Sequence, residues 1–241
     1  MTDATYSERL ERVKRAAADP VLDTLDATER AGVVAAWQYR AGAELAASLA
    51  FRRIAEELRE DGCPGQLVLA ARRAEADERY HAELCAFVAE RYLGRAVDPE
   101  PPRDYALEFA SCDAEVERAL RVTLVAAVGE SLSTAYLLAC LRAAEGSLAR
   151  AALRELSQDE VSHARIGWAR LATLRRDLRD RIADELPTLI AAAVASWDHE
   201  VSALSCPPGH GALDLATTRS VIDDALQSVV IPSLRSVDGF R

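Results

Sequence analysis

The feature that most limits what this chain can fold into is the spacing of its helix breakers. Asp26-Ala-Thr-Glu29 has the form of a capping box, and nothing after it ends a helix before Asp61-Gly-Cys-Pro-Gly65. A second unbroken stretch then runs to about Leu93. The segment 94–103, with Pro99, Pro101 and Pro102, and its irregular continuation to Cys112 form the one long connection. A third helix is expected from near Asp113 to near Gly146, and a fourth, capped by Ser147, to about Arg176. Four helices of roughly 30 residues would each be about 45 Å long. Short, long and short connections between them predict an antiparallel four-helix bundle with one crossover.

Composition agrees with an all-α class, since only 5% of residues are aromatic and alanine is abundant. The expected organisation is a helical extension over 1–26, the bundle over 27–176, and further helices over 177–241 packed on the bundle. Pro187 should kink or restart a helix between Asp177 and Leu204, and a last helix should follow Cys206-Pro-Pro-Gly-His-Gly211. A net charge of −10 counts against nucleic acid or anionic lipid as the main partner, because both reward a basic face. Five cysteines without a C-x-x-C pair suggest neither a disulfide framework nor a cysteine zinc site. The N-terminus lacks the apolar core of a signal peptide, and the apolar runs around Val122–Val128 and Leu189–Trp197 are too short to span a bilayer. A soluble, cytoplasmic chain is the expectation.

The chemistry lies in two repeats of one pattern, Asp77-Glu78-Arg79-Tyr80-His81 and Asp159-Glu160-Val161-Ser162-His163. Residues three apart on a helix share a face, so each Glu-x-x-His offers a carboxylate and an imidazole to one point. The repeats fall in the second and fourth helices. The first and third each carry a glutamate in a small, apolar setting, Glu44 and Glu130, lying 34 residues before Glu78 and 30 before Glu160. Antiparallel pairing brings each level with its partner motif. Four carboxylates converging in an interior need protons or cations. Two divalent ions with one histidine each suit iron or manganese better than zinc.

On these six residues the segment 28–176 resembles the ferritin-like di-iron carboxylate superfamily, which includes rubrerythrins, bacterioferritins, aldehyde-deformylating oxygenases and the hydroxylase components of bacterial monooxygenases. The resemblance implies that Glu44, Glu78 and His81 serve one metal and Glu130, Glu160 and His163 the other, with Glu78 and Glu160 bridging. Asp77 and Asp159 would receive an imidazole N–H. It also implies two iron ions, with Mn/Fe or two Mn as alternatives, and dioxygen or peroxide as co-substrate. A small organic substrate, an external reductase or ferredoxin as electron donor, and a homodimer contact on the flanking helices complete the expectation. The chain departs from rubrerythrins in having no C-x-x-C and serine at position 133. Ferroxidase or iron-binding activity, or a rubrerythrin-like peroxidase without organic substrate, stays open, as does a non-catalytic helical module.

Several residues have two readings. Thr134, one turn after Glu130, either positions oxygen-derived groups or a proton, or bonds back to its own helix. The small residues Ala41, Ala47, Ser48, Ala126, Ala127, Ser133, Ala164 and Gly167 either leave room for substrate or let helices approach. Tyr80 and Trp168 are redox-active or simply packed, Glu75 is a spare ligand or a solvated acid, and Arg40 lies where it would screen Glu44. His199 and His210 are expected to have no metal role.

Overall fold

The computed structural model describes residues 3–98, 100–103, 109, 113–237 and 240. Parts of the long connection, Cys112 and the first two residues lie outside that set. Among the described residues all regular secondary structure is helical, with no strand.

Helix α1 covers Asp3–Arg15. Helix α2, Ala27–Glu60, opens on the expected capping box: Asp26 accepts from the Thr28 and Glu29 amides, both at 2.8 Å, and Glu29 accepts from the Asp26 amide at 3.0 Å. Gly62 lies just past the Asp61 C-cap of α2, and Gly94 is the C-cap of α3, Gly65–Leu93; both glycines take positive φ. The two helices pack along their length as a hairpin.

The third stretch is not the regular helix that the sequence predicts. Helix α4, Ala114–Val122, passes into a π-helical turn, Thr123–Gly129, and then into α5, Glu130–Ala143. The extra residue of a π turn rotates everything after it about the axis, and here it lies directly before Glu130. As one rod of 30 residues, 114–143 is long and apolar enough, by length and composition alone, to cross a membrane. The separate apolar runs are too short for that. Much of its apolar surface is packed inside the protein, where Val116, Leu120, Leu124 and Val128 meet Leu171, Leu178 and Ile182.

Helix α6, Ser147–Thr173, is not capped by Ser147, whose hydroxyl donates to the Ala16 carbonyl. The α6 N-terminus is instead satisfied by Asp19, which accepts from the Leu148 amide at 2.9 Å. Helix α7, Arg176–Ser202, continues through Pro187 as a single element. The chain closes with α8, Leu215–Ala225, a second π turn, Leu226–Val230, and α9, Ile231–Arg235. An apolar groove of about 710 Å³ lies between α7 and α8–α9, lined by Leu186, Ile190, Val194, Ile222, Leu226 and Val230.

Helix α6 packs on α5, on the first π turn and on α3, an arrangement compatible with a four-helix bundle. Two apolar clusters occupy opposite ends of it. One gathers Trp37, Leu84, Tyr92, Leu137 and Leu153; the other gathers Phe51, Ile54, Ala71, Ala126 and Ile166. On every helix the predicted ligands fall between these two sets, so a polar layer sits between two apolar ones.

Beside the second apolar cluster, one turn from the ligand layer, α6 meets the π turn closely at Gly167. A Cβ there would stand 2.2 Å from the Ala127 amide nitrogen and 2.6 Å from the Ala126 carbonyl carbon. Gly167 therefore serves close backbone approach to Ala126 and Ala127. Gly167→Ala should destabilise by about 3 kcal/mol or more, since backbone must move to admit the methyl. Gly65→Ala, which meets open space, should be near neutral. Urea melts of the two variants test the difference.

Candidate metal centre

The structure brings all six predicted ligands together and buries them. Glu44, Glu78, His81 and Glu160 form one group and Glu78, Glu130, Glu160 and His163 a second; within each, one ligand atom per residue lies within 4.8 Å of the others. An ion with bonds of about 2.1 Å holds its ligand atoms up to about 4.2 Å apart, so each group has nearly the dimensions of one coordination sphere. Glu78 and Glu160 belong to both groups, the geometry of shared carboxylates.

Both imidazoles turn Nδ1 inward. His81 Nδ1 lies 3.1 Å from Glu78, 3.5 Å from Glu160 and 4.0 Å from Glu44. His163 Nδ1 lies 2.7 Å from Glu78 Oε1 without the alignment of a hydrogen bond, and neither atom makes one elsewhere; Glu160 Oε1, 3.5 Å from His81 Nδ1, also makes none. Buried nitrogen and oxygen atoms left without hydrogen bonds in this way are what a cation would satisfy. The residues present fit a pair of divalent ions.

The outward Nε2 atoms meet the predicted aspartates, but crossed. His81 Nε2 lies 3.2 Å from Asp159 and His163 Nε2 lies 3.4 Å from Asp77, so each motif's aspartate serves the histidine of the other motif. A proton held on Nε2 leaves the Nδ1 lone pair free for a metal.

The protonation of the metal-free cluster follows from its charges. Burial raises the carboxyls of Glu44, Glu130 and Glu160, and neighbouring carboxylates, Glu78 above all, raise them further, Glu130 to about 8. Burial opposes ionisation of Glu78 too, but His163 and His81 outweigh it and hold this carboxyl well below the usual range. Burial also disfavours charge on His81, yet Asp159 and Glu78 prevail and lift it to about 10; His163 is raised likewise, chiefly by Glu78 against the cost of burial. The cluster without metal is thus a store of protons that divalent ions must displace.

The remaining candidates lie outside both groups. Thr134 is turned back on its helix, its hydroxyl donating to the Glu130 carbonyl at 2.7 Å. Trp168 donates to the Ser131 hydroxyl, Glu75 pairs with Arg72, and Ser48 donates to the Glu75 carbonyl. Arg40 lies over the Trp37 ring and donates to the Gly211 carbonyl, tying down the 206–211 loop. His210 meets the Tyr92 hydroxyl in that loop, and His199 is exposed.

Helix α1 is the part that sequence reasoning missed. Its Tyr6 donates to Asp77 at 2.7 Å; its Arg9, 4% exposed, donates to Asp159 and to Glu155, both at 2.7 Å. Arg12 also reaches Glu155, at 3.1 Å. The available signal was Glu155, one turn before Asp159 on the same face of α6, where two adjacent acids call for a cation from elsewhere.

Comparison with protein-family models, with curated proteins and with solved structures finds no match to this chain. The functional reading therefore rests on the site itself.

Proposed function

We propose that this chain is a non-haem di-iron oxidoreductase on a ferritin-like four-helix bundle, using dioxygen or peroxide. The observation that supports it most directly is the pair of buried ligand groups sharing Glu78 and Glu160. Glu44 and His81 complete one position, Glu130 and His163 the other. Two irons held there would supply the redox chemistry, for which no side chain in the cluster is suited. The protein's part is to hold a proton on Nε2 of each histidine through the crossed aspartates, so that Nδ1 is the atom a metal takes once it displaces the proton there, to exclude water with the two apolar clusters, and to hold charge on Glu78. Electrons would come from an external reductase or ferredoxin, and oxidation of a small organic molecule is the reading we favour. The close contact at Gly167 favours a second one, oxidation of iron itself with no organic substrate, because it fills space beside Glu130 and His163.

Anaerobic loading with Fe(II) followed by rapid mixing with dioxygen separates the two. The oxidoreductase reading expects oxidation of two Fe(II) per chain and then arrest until a reductant is supplied. Continuous oxidation of many equivalents of Fe(II) would establish the ferroxidase reading instead. Binding of fewer than about 0.5 ions per chain would overturn both.

A further inference from the structure

Tyr6 and Arg9 of helix α1 hold the outer partners of both ligand histidines, and they hold them differently. On the His81 side, Asp159 takes a hydrogen bond from the buried guanidinium of Arg9. On the His163 side, Asp77 takes its short hydrogen bond from the neutral hydroxyl of Tyr6. Arg73 also approaches Asp77, but at 3.8 Å and with its side chain 57% exposed, whereas the Arg9 side chain is 5% exposed. The exposed charge is screened by water and the buried one is not.

Resting on the di-metal reading above, we propose that α1 is a clamp that makes the two metal positions unequal, with the Glu130/His163 position the tighter. A carboxylate that accepts from an imidazole N–H makes that imidazole a better donor at its other nitrogen. Arg9 draws charge from Asp159 and so weakens this effect on His81. Asp77, held in place by Tyr6 and near only the exposed, water-screened charge of Arg73, keeps more of this effect on His163. The cluster is otherwise nearly symmetric, since both positions draw one carboxylate of their own, one histidine and the same two shared carboxylates. The difference between Arg9 and Tyr6 is therefore what should order the loading.

Anaerobic titration of the metal-free protein with Co(II), followed by its visible absorption, tests this. The wild-type chain should fill in two steps, with Glu130→Gln removing the tighter and Glu44→Gln the weaker. Tyr6→Phe, which deletes one oxygen and leaves the ring stacked on Tyr80, should weaken the tighter step by up to about tenfold and spare the other, no more than the lower end of the range for losing a histidine's own partner, because Tyr6 only positions that partner. Arg9→Gln should bring the two steps together, while Arg9→Lys, which keeps the charge, should keep them apart; Arg12 remains to pair with Glu155 in both. Tyr6→Phe and Arg9→Gln shifting both steps equally, as general loosening would, or shifting neither, would overturn the inference with the di-metal reading intact. A wild-type chain that takes up no Co(II) would overturn that reading itself.

Discussion

Exchanging Glu160 for glutamine should lower the metal content from two ions per chain to one or none, and yet leave the metal-stripped protein as stable as before or more so. The two effects have one origin. Glu160 belongs to both ligand groups, and an amide is a poor substitute for a shared carboxylate. Without metal, burial and the charge on Glu78 already keep the Glu160 carboxyl protonated, so a neutral amide of the same shape takes its place at little cost. With metal, the variant forgoes the stabilisation by mass action, about 4 kcal/mol at a thousandfold excess over Kd. Melting with and without a chelator, beside metal analysis, reads both. Equal destabilisation in the two conditions would sink the idea that Glu160 is a ligand.

The second large effect is a pH dependence of the metal-free protein in which stability falls as pH rises. Glu130 binds its proton up to about 8 in the fold but only to about 4.5 when unfolded. Between those values the folded state holds the extra proton, so stability falls with pH. His81, raised from 6.5 to about 10, contributes stability that is complete below pH 6.5 and lost as pH rises through 10. Each such group has a slope of roughly 1.4 kcal/mol per pH unit inside its window, and the two windows overlap from pH 6.5 to 8. Asp159, whose pKa is lowered by His81 and Arg9 against the effect of burial, acts in the opposite sense, losing its contribution as pH falls through its depressed value. Divalent metal should reverse the main trend, because the ions compete with the same protons. Urea melts with chelator at pH 5.5, 7.0 and 8.5 test this, and stability that is flat or rising across them would refute the protonated cluster.

The parts of this site that could be read from the residue string are those set by helical periodicity. Glu-x-x-His on a known helix fixes which side chains share a face, and the capping box and Gly94 fix where α2 begins and α3 ends; Glu44 and Glu130 then follow from register. What could not be read depends on contacts between distant segments. Asp19 reaching the α6 N-terminus, and Arg9 and Tyr6 reaching the two aspartates, have no periodicity to announce them. The π turn at Thr123–Gly129 has no signature in Thr-Leu-Val-Ala-Ala-Val-Gly, because side-chain class does not distinguish a hydrogen bond to the fourth preceding residue from one to the fifth. Thr134 shows the limit within a helix as well, since position alone placed it beside Glu130 but not the direction its hydroxyl takes.

The crossing of Asp77 to His163 and of Asp159 to His81 has the form of a two-fold exchange. Swapping the α2–α3 hairpin with the one made by α5 and α6 carries each aspartate–histidine pair onto the other. A single hairpin thus owns one histidine and the acid that aligns the opposite one, and it cannot orient its own. Each position of the centre is therefore complete only when both hairpins are present.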